Sequence, residues 1–291
     1  MNLINPIVDY IEFDKPGKKM EYCGRVCYNS LDKITEDSHV KFLTSIYKSG
    51  HTSVLEHERV IFKSEATCYL KDDRYFVSRY VGGYNYISAN VRAWLNLTDK
   101  ESVFYPYLKE LYPYLFTEEP VCGKSSKIKV ISEKELPKEE VKYHVPRTFK
   151  IVCSRGCSHQ LVRHRVFSFS QQSQRYCAFN GPKFNHSIDF IVPIIDDVKK
   201  FSDEEKRVAG MKLAACFKNA EDDYFELIEK YGLRAEDARN VLPNAAATII
   251  MMSGTGEQWE KFFELRCDKH AQREIRDIAN KIKEIIYEKT N

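Results

Sequence analysis

The chain has 291 residues, enough for one large domain or two small ones with a real core. Apolar residues make up 43% of it and charged residues 30%, the balance of a globular protein in water, and a net charge of +3 is too mild to argue for nucleic acid by itself. The opening Met1-Asn2-Leu3-Ile4-Asn5-Pro6 has no basic region before an apolar run, and no stretch approaches the ~18 uninterrupted apolar residues of a membrane span, so a cytoplasmic protein is expected.

Nine cysteines, an odd number, give no disulfide framework. Cys23 and Cys27, like Cys153 and Cys157, are one helical turn apart rather than at zinc-knuckle spacing, which predicts reduced, mostly buried thiols and no metal. In chain order, Thr35 to Gly50 reads as a short helix. Thr35 or Ser38 can cap it, Val40, Leu43, Ile46 and Tyr47 follow helical spacing, and Gly50 stops it. His51-Thr52-Ser53-Val54-Leu55-Glu56-His57 is too polar and too rich in histidine for core. From Val60 to Leu70 the even positions Val60, Phe62, Ala66, Cys68 and Leu70 are apolar and the odd ones include Lys63, Glu65 and Thr67, the alternation of a half-buried strand. Asp72 to about Val145 begins aromatic and ends, over Thr117 to Lys142, dense in Lys and Glu, which reads as an exposed surface excursion. Phe149 to Cys153 predicts a second strand, and Gly156 to Arg165 a helix leading into Phe167–Tyr176. Ser202-Asp203-Glu204-Glu205 is a capping box for a long helix with Leu213, Cys216, Phe217, Ala220, Tyr224, Leu227 and Ile228 on one face. Ala235 to Val241 is a shorter helix, and Glu257 to Lys289 is helical with Ile275, Ile278, Ala279, Ile282 and Ile285 in register. This order predicts an α+β fold, a mixed or antiparallel sheet packed with long helices.

The chemistry concentrates between Gln160 and Arg175. On a continued helix Gln160, Arg163 and His164 stand at i, i+3 and i+4 and share a face, with Cys157 and Leu161 on an apolar strip. Cations near a helix C-terminus are common for their effect on the dipole alone. Here Ser168, Ser170, Gln171, Gln172, Ser173, Gln174 and Arg175 follow, so the segment offers guanidinium groups, hydroxyls and amides with almost no carboxylate. Such a surface suits anions and the donor–acceptor edge of a pyrimidine. Neither a dinucleotide fingerprint nor a Walker-type loop occurs.

Arg163-His164-Arg165, seven residues, then Ser173 resembles the signature of the flavin-dependent thymidylate synthases. Three further blocks resemble that family in the same order: His51-Thr52-Ser53 with Glu56-His57, Ala238-Arg239-Asn240-Val241-Leu242-Pro243, and Phe263 to Arg266 with His270-Ala271-Gln272. The resemblance implies one domain over residues 1–291 with an insertion at about 72–145. It implies that Ser53, Arg163, His164 and Arg165 contact FAD, with Gln171 in reach of the cofactor and His51 near the approach of folate and flavin. It also implies that Gln160, Gln171, Ser173, Arg175 and Arg239 bind dUMP, with Gln172 and Gln174 beside them. Arg266 would face the uracil and favour its enolate-like form. NADPH and 5,10-methylenetetrahydrofolate are the implied co-substrates, and a homotetramer with shared sites the implied assembly. The chain departs from the family where Gln171 stands at a frequent Glu and where Glu257 stands at a frequent flavin-contacting Arg.

A cysteine nucleophile is the alternative route to activating a uracil ring. Cys153, Cys157 and Cys177 are near the motif, but none falls on the polar face with Gln160 and Arg163. Ser173 has no base placed by sequence to activate it, so a binding role is expected. Two other classes stay open at this level: an FAD-binding NADPH oxidase that has lost methyl transfer, and a nucleic-acid-binding module built on the Arg, Tyr and Phe residues.

Overall fold

The computed structural model describes residues 1–65, 75–193 and 201–290, and the fold is α+β. Its strands are β1 (Asn2–Ile4), β2 (Ile7–Ile11), β3 (Arg59–Ser64), β4 (Val77–Val81), β5 (Tyr84–Asn90), β6 (Ile128–Val130), β7 (Pro146–Ser154), β8 (Ser168–Gln171), β9 (Asp189–Ile191) and β10 (Ala247–Thr255). Its helices are α1 (Lys18–Cys27), α2 (Ser38–Lys48), α3 (Val91–Leu97), α4 (Tyr105–Leu111), α5 (Val141–His144), α6 (Arg155–Leu161), α7 (Asp203–Glu229), α8 (Ala235–Ala238), α9 (Gly256–Arg266) and α10 (Arg273–Thr290).

The central sheet has the order β2-β7-β10-β8, with every neighbouring pair antiparallel. Phe149, Ile151 and Cys153 point from β7 into one core with Ile250 and Met252 of β10, Trp259 and Phe262 of α9, and Ile275, Ile278, Ala279 and Ile282 of α10. The isoleucine register read from the sequence is the buried stripe of α10, each such side chain contributing about 1.5–3 kcal/mol by leaving water. Ile249 and Met251 face the other way, onto Cys23 and Val26 of α1. Because β10 is covered on both faces, its central Ile249–Met252 is an apolar run without the alternation that marks a strand.

A second antiparallel sheet, β4-β5-β3-β6, lies beside the first. Val60 and Phe62 of β3 face a core with Met20, Leu43, Trp94, Phe104 and Leu108, while Ile61 faces Tyr86, Ile131, Leu136 and Val145. The expected strand therefore begins at Arg59; its predicted continuation over Ala66–Leu70 lies outside the described residues. The expected surface excursion over Thr117–Lys142 is corrected here. Ile128–Val130 is the edge strand of this sheet, and Ile128, Ile131 and Leu136 are buried, because a single apolar residue between lysines suffices where one strand face is covered.

Helix boundaries differ where tertiary partners intervene. α2 starts at Ser38 rather than Thr35, since the Ser38 hydroxyl accepts from the Thr35 N–H (2.9 Å) and closes a turn ahead of the helix. Leu43 and Ile46 are buried, but Val40 and Tyr47 are exposed. α7 carries the capping box: Glu205 Oε2 accepts from the Ser202 N–H at 2.7 Å. Phe217 and Tyr224 are its buried anchors, with Leu213, Leu227 and Ile228 packed beside them and Cys216 exposed. The C-terminal helical stretch divides into α9 and α10 at a turn closed by Asp268, whose carboxylate accepts the His270 N–H at 2.8 Å. Among the described residues, no helix is long and apolar enough to cross a membrane.

Candidate functional site

The expected helix through Arg165 ends at Leu161, which corrects the shared helical face of Gln160, Arg163 and His164. Successive three-residue turns follow: Arg163 N–H donates to the Gln160 carbonyl and His164 N–H to the Leu161 carbonyl. This tight loop leaves Arg163 and Arg165 exposed and turns His164 inward against Phe262 and Phe167. No carboxylate among the described residues pairs with Arg163 or Arg165.

His164 and Arg266 meet although 102 residues separate them: the Arg266 Nε donates to His164 Nε2 at 2.8 Å. An imidazole that accepts at Nε2 is neutral and carries its proton on Nδ1. Burial, and then the Arg266 charge, push its pKa down to about 4. Ending α9 at Arg266 is what aims the guanidinium at the loop. Gln160 reaches Gln272 of the following turn at 3.4 Å.

A second group gathers at the end of β8. The Gln171 amide donates to Ser158 Oγ of α6 (2.8 Å) and to Thr248 Oγ1 of β10 (3.3 Å). Arg155, at the first position of α6, reaches the same Thr248 hydroxyl at 3.5 Å. Burial lowers the Arg155 pKa, and the like charge of Arg239 lowers it further, so two guanidinium groups repel one another at this point. Neither has a carboxylate partner among the described residues. Arg175 pairs with Glu236 (2.7 Å), one turn before Arg239. Ser173 Oγ accepts the backbone N–H groups of Arg175 and Tyr176, and no imidazole or carboxylate among the described residues is bonded to it. Gln172 is buried and lines a small cavity with Asn29, Phe179 and Lys183, apart from the partners of Gln171. The Gln174 amide nitrogen is buried with no hydrogen-bond partner among the described residues.

The loop bearing His51 and Ser53 is fastened through His57. This imidazole is fully buried, with Nδ1 2.7 Å from Ser253 Oγ of β10 and Nε2 2.9 Å from Ser170 Oγ of β8. Thr148 of β7 joins the chain through Ser253 at 2.8 Å. His51 Nδ1 lies 3.0 Å from the Tyr28 hydroxyl, and the Tyr28 ring lies 6.0 Å from that of Tyr176. Arg155, Tyr28, Ser158 and Thr248 are the site neighbours that the sequence reading missed. For Arg155 the signal was present: an arginine on the helix that carries Gln160. Cys153 and Cys157 sit in the central core. The Cys177 thiol bonds to the Cys27 carbonyl, and burial raises its pKa. Glu257 pairs with Lys261 at 2.9 Å.

The model of one protein family, described as thymidylate synthase complementing protein, matches residues 131–290. The chain belongs to this family. Three of its four motif blocks fall within the matched residues, while His51–His57 precedes them together with the whole of the second sheet. Among curated proteins, it is 40% identical over 142 residues to a flavin-dependent thymidylate synthase of Geobacter sulfurreducens, covering 48% of this chain and 56% of that protein. It is 38% identical over 159 residues to the one of Pyrococcus furiosus, covering 52% and 61%. The chain thus spans somewhat more than half the length of these relatives. The family match covers the strands and helices that carry Arg155, His164, Gln171, Arg239 and Arg266.

Proposed function

We propose that this protein makes dTMP from dUMP by FAD-dependent reductive methylation, with 5,10-methylenetetrahydrofolate as the carbon donor and NADPH as the reductant. The carrying observation is the pair Arg155 and Arg239, two uncompensated cations in electrostatic reach of each other beside Gln171. A nucleotide phosphate between them removes their repulsion, each charge-assisted hydrogen bond being worth about 1.5–3 kcal/mol. Arg175 can exchange Glu236 for the same phosphate, and Gln160 and Ser173 supply polar contacts to the nucleoside. The unsatisfied Gln174 amide is a further donor for a ligand oxygen. Arg266, with its Nε held on His164, keeps its terminal nitrogens for charge developing on the pyrimidine oxygen.

The residues present fit a flavin dinucleotide, since Arg163 and Arg165 are exposed on one tight loop without a counter-charge among the described residues. They would hold its phosphates and ring edge together with His164 and Ser53, while His51 would stand on the folate side. When bound, the flavin supplies the reducing equivalent and takes part in handling the one-carbon unit. Glu257 adds no cation to this site. We further read the active form as a cytoplasmic homotetramer whose subunits share sites, and residues 72–145 as an insertion relative to the family.

Tritium release from 5-tritiated dUMP, with NADPH and methylenetetrahydrofolate, tests the reading. FAD-loaded protein is expected to release tritium and form dTMP. NADPH oxidation without any release would mark an oxidase instead and end the synthase reading.

A further inference from the structure

Away from these residues, a cavity of about 340 Å³ lies between the two four-stranded sheets. Its walls come from the end of β2 and the following loop (Tyr10, Phe13), the start of β3, the end of β6, Tyr112 and the start of β7. The volume is that of a small-molecule pocket. Arg59, the first residue of β3, lies on the strand face that carries Ile61, toward the central sheet. Its Nε donates to Ser88 Oγ at 2.9 Å and its Nη2 to the Ser88 carbonyl at 3.0 Å. Its Nη1 bonds to nothing among the described residues and is not sealed from solvent, which leaves it open to the cavity.

Most of the other charges on this wall are already engaged. Arg147 forms a fork with Glu133, Lys15 pairs with Glu36, and Glu12 lies 3.7 Å from Lys289. Glu58 accepts from the Gly17 N–H and the Tyr112 hydroxyl. Asp14 is exposed on the loop. Lys19, like Arg59, has no ion-pair partner among the described residues. A partly buried guanidinium with no carboxylate paired to it among the described residues is costly. Burial alone brings the Arg59 pKa down to about 10.

We propose that this cavity is a second ligand site, taking a small organic anion whose carboxylate or phosphate oxygens meet Arg59 and Lys19 and whose planar or apolar body lies among Tyr10, Phe13 and Tyr112. The site is independent of the nucleotide reading, since none of its lining residues belongs to that site. Fluorine NMR of 4-fluorobenzoate with the full chain tests it. Wild-type protein is expected to broaden the probe resonance, with the broadening lost in Arg59→Met and kept in Arg163→Ala. Arg59→Lys, which keeps the charge and loses the fork, is expected to weaken binding about tenfold. Inorganic phosphate then separates the two oxyanions: reversal of the broadening marks a phosphate site, and persistence a carboxylate site. A melting transition retained by Arg59→Met shows that its loss of binding is not misfolding. Broadening that is equal in wild type, Arg59→Met and Arg59→Lys overturns the proposal. So does a wild type that neither broadens the probe nor gains melting temperature in phosphate.

Discussion

His57 holds both ring nitrogens against hydroxyls and is fully buried, which disfavours the charged imidazole; burial, with Lys19 adding to it, lowers its pKa from 6.5 to about 3. The unfolded chain therefore binds a proton that the folded chain refuses between those two values. The stability that His57 contributes is complete above about pH 6.5 and is lost as the pH falls toward 3. His57→Gln is expected to melt lower at pH 7, by about 1–3 kcal/mol for hydroxyls left unpaired, yet to lose less stability than wild type between pH 7 and pH 5. Parallel melting curves against pH would show that His57 is not the titrating group. At Arg266 the expectation concerns rate. Under the proposed function, Arg266→Ala removes the cation assigned to the pyrimidine, and dTMP formation should drop by at least ~100-fold while the FAD absorbance stays with the protein. Loss of flavin in that variant would place Arg266 on the cofactor instead.

Among the elements, β10 decides most. It pairs with β7 and β8, packs on helices at both faces and supplies Thr248 and Ser253 to the two hydrogen-bonded groups of the site. Its Gly254 has no room for a side chain: a Cβ there would come within 2.4 Å of the Phe167 ring, which is fixed against Trp259 and Phe262. Gly254→Ala should destabilise by about 1–3 kcal/mol through overpacking. Because Phe167 also borders His164, flavin affinity should fall with it. Denaturant unfolding and flavin titration of the one variant check both. A midpoint unchanged from wild type would mean that the ring moves aside freely.

At the level of the whole molecule, β4, β5 and β6 complete the sheet around β3, and the segment between residues 75 and 145 is built into the core through Trp94, Phe104 and Leu108. The proposed homotetramer predicts four protomers of 34.0 kDa by light scattering. Shared sites predict more. Mixed and reassembled Arg266→Ala and Arg239→Ala proteins, each inactive alone, should recover part of the tritium release if one subunit lends its arginine to another's site. Inactivity of the mixture, with mixed tetramers shown to form, would place both arginines in the same subunit's site.

Local chemistry was legible in the amino-acid order. The capping box of α7, the isoleucine stripe of α10 and the amide- and arginine-rich run into β8 depend on neighbours within a few residues, and spacing alone reveals them, while the motif blocks were read from a family resemblance. What spacing could not show was who meets whom. His57 looked like part of a polar loop and is core, because its partners Ser170 and Ser253 lie 113 and 196 residues away. Gln171 and Gln172 were read together and face different surroundings, and Arg155 was passed over although it stands with Gln171 and Arg239. The edge strand at Ile128–Val130 was hidden among lysines, and β10 among continuous apolar residues. In each case the deciding term is burial against a distant segment, and burial is a property of the folded chain alone.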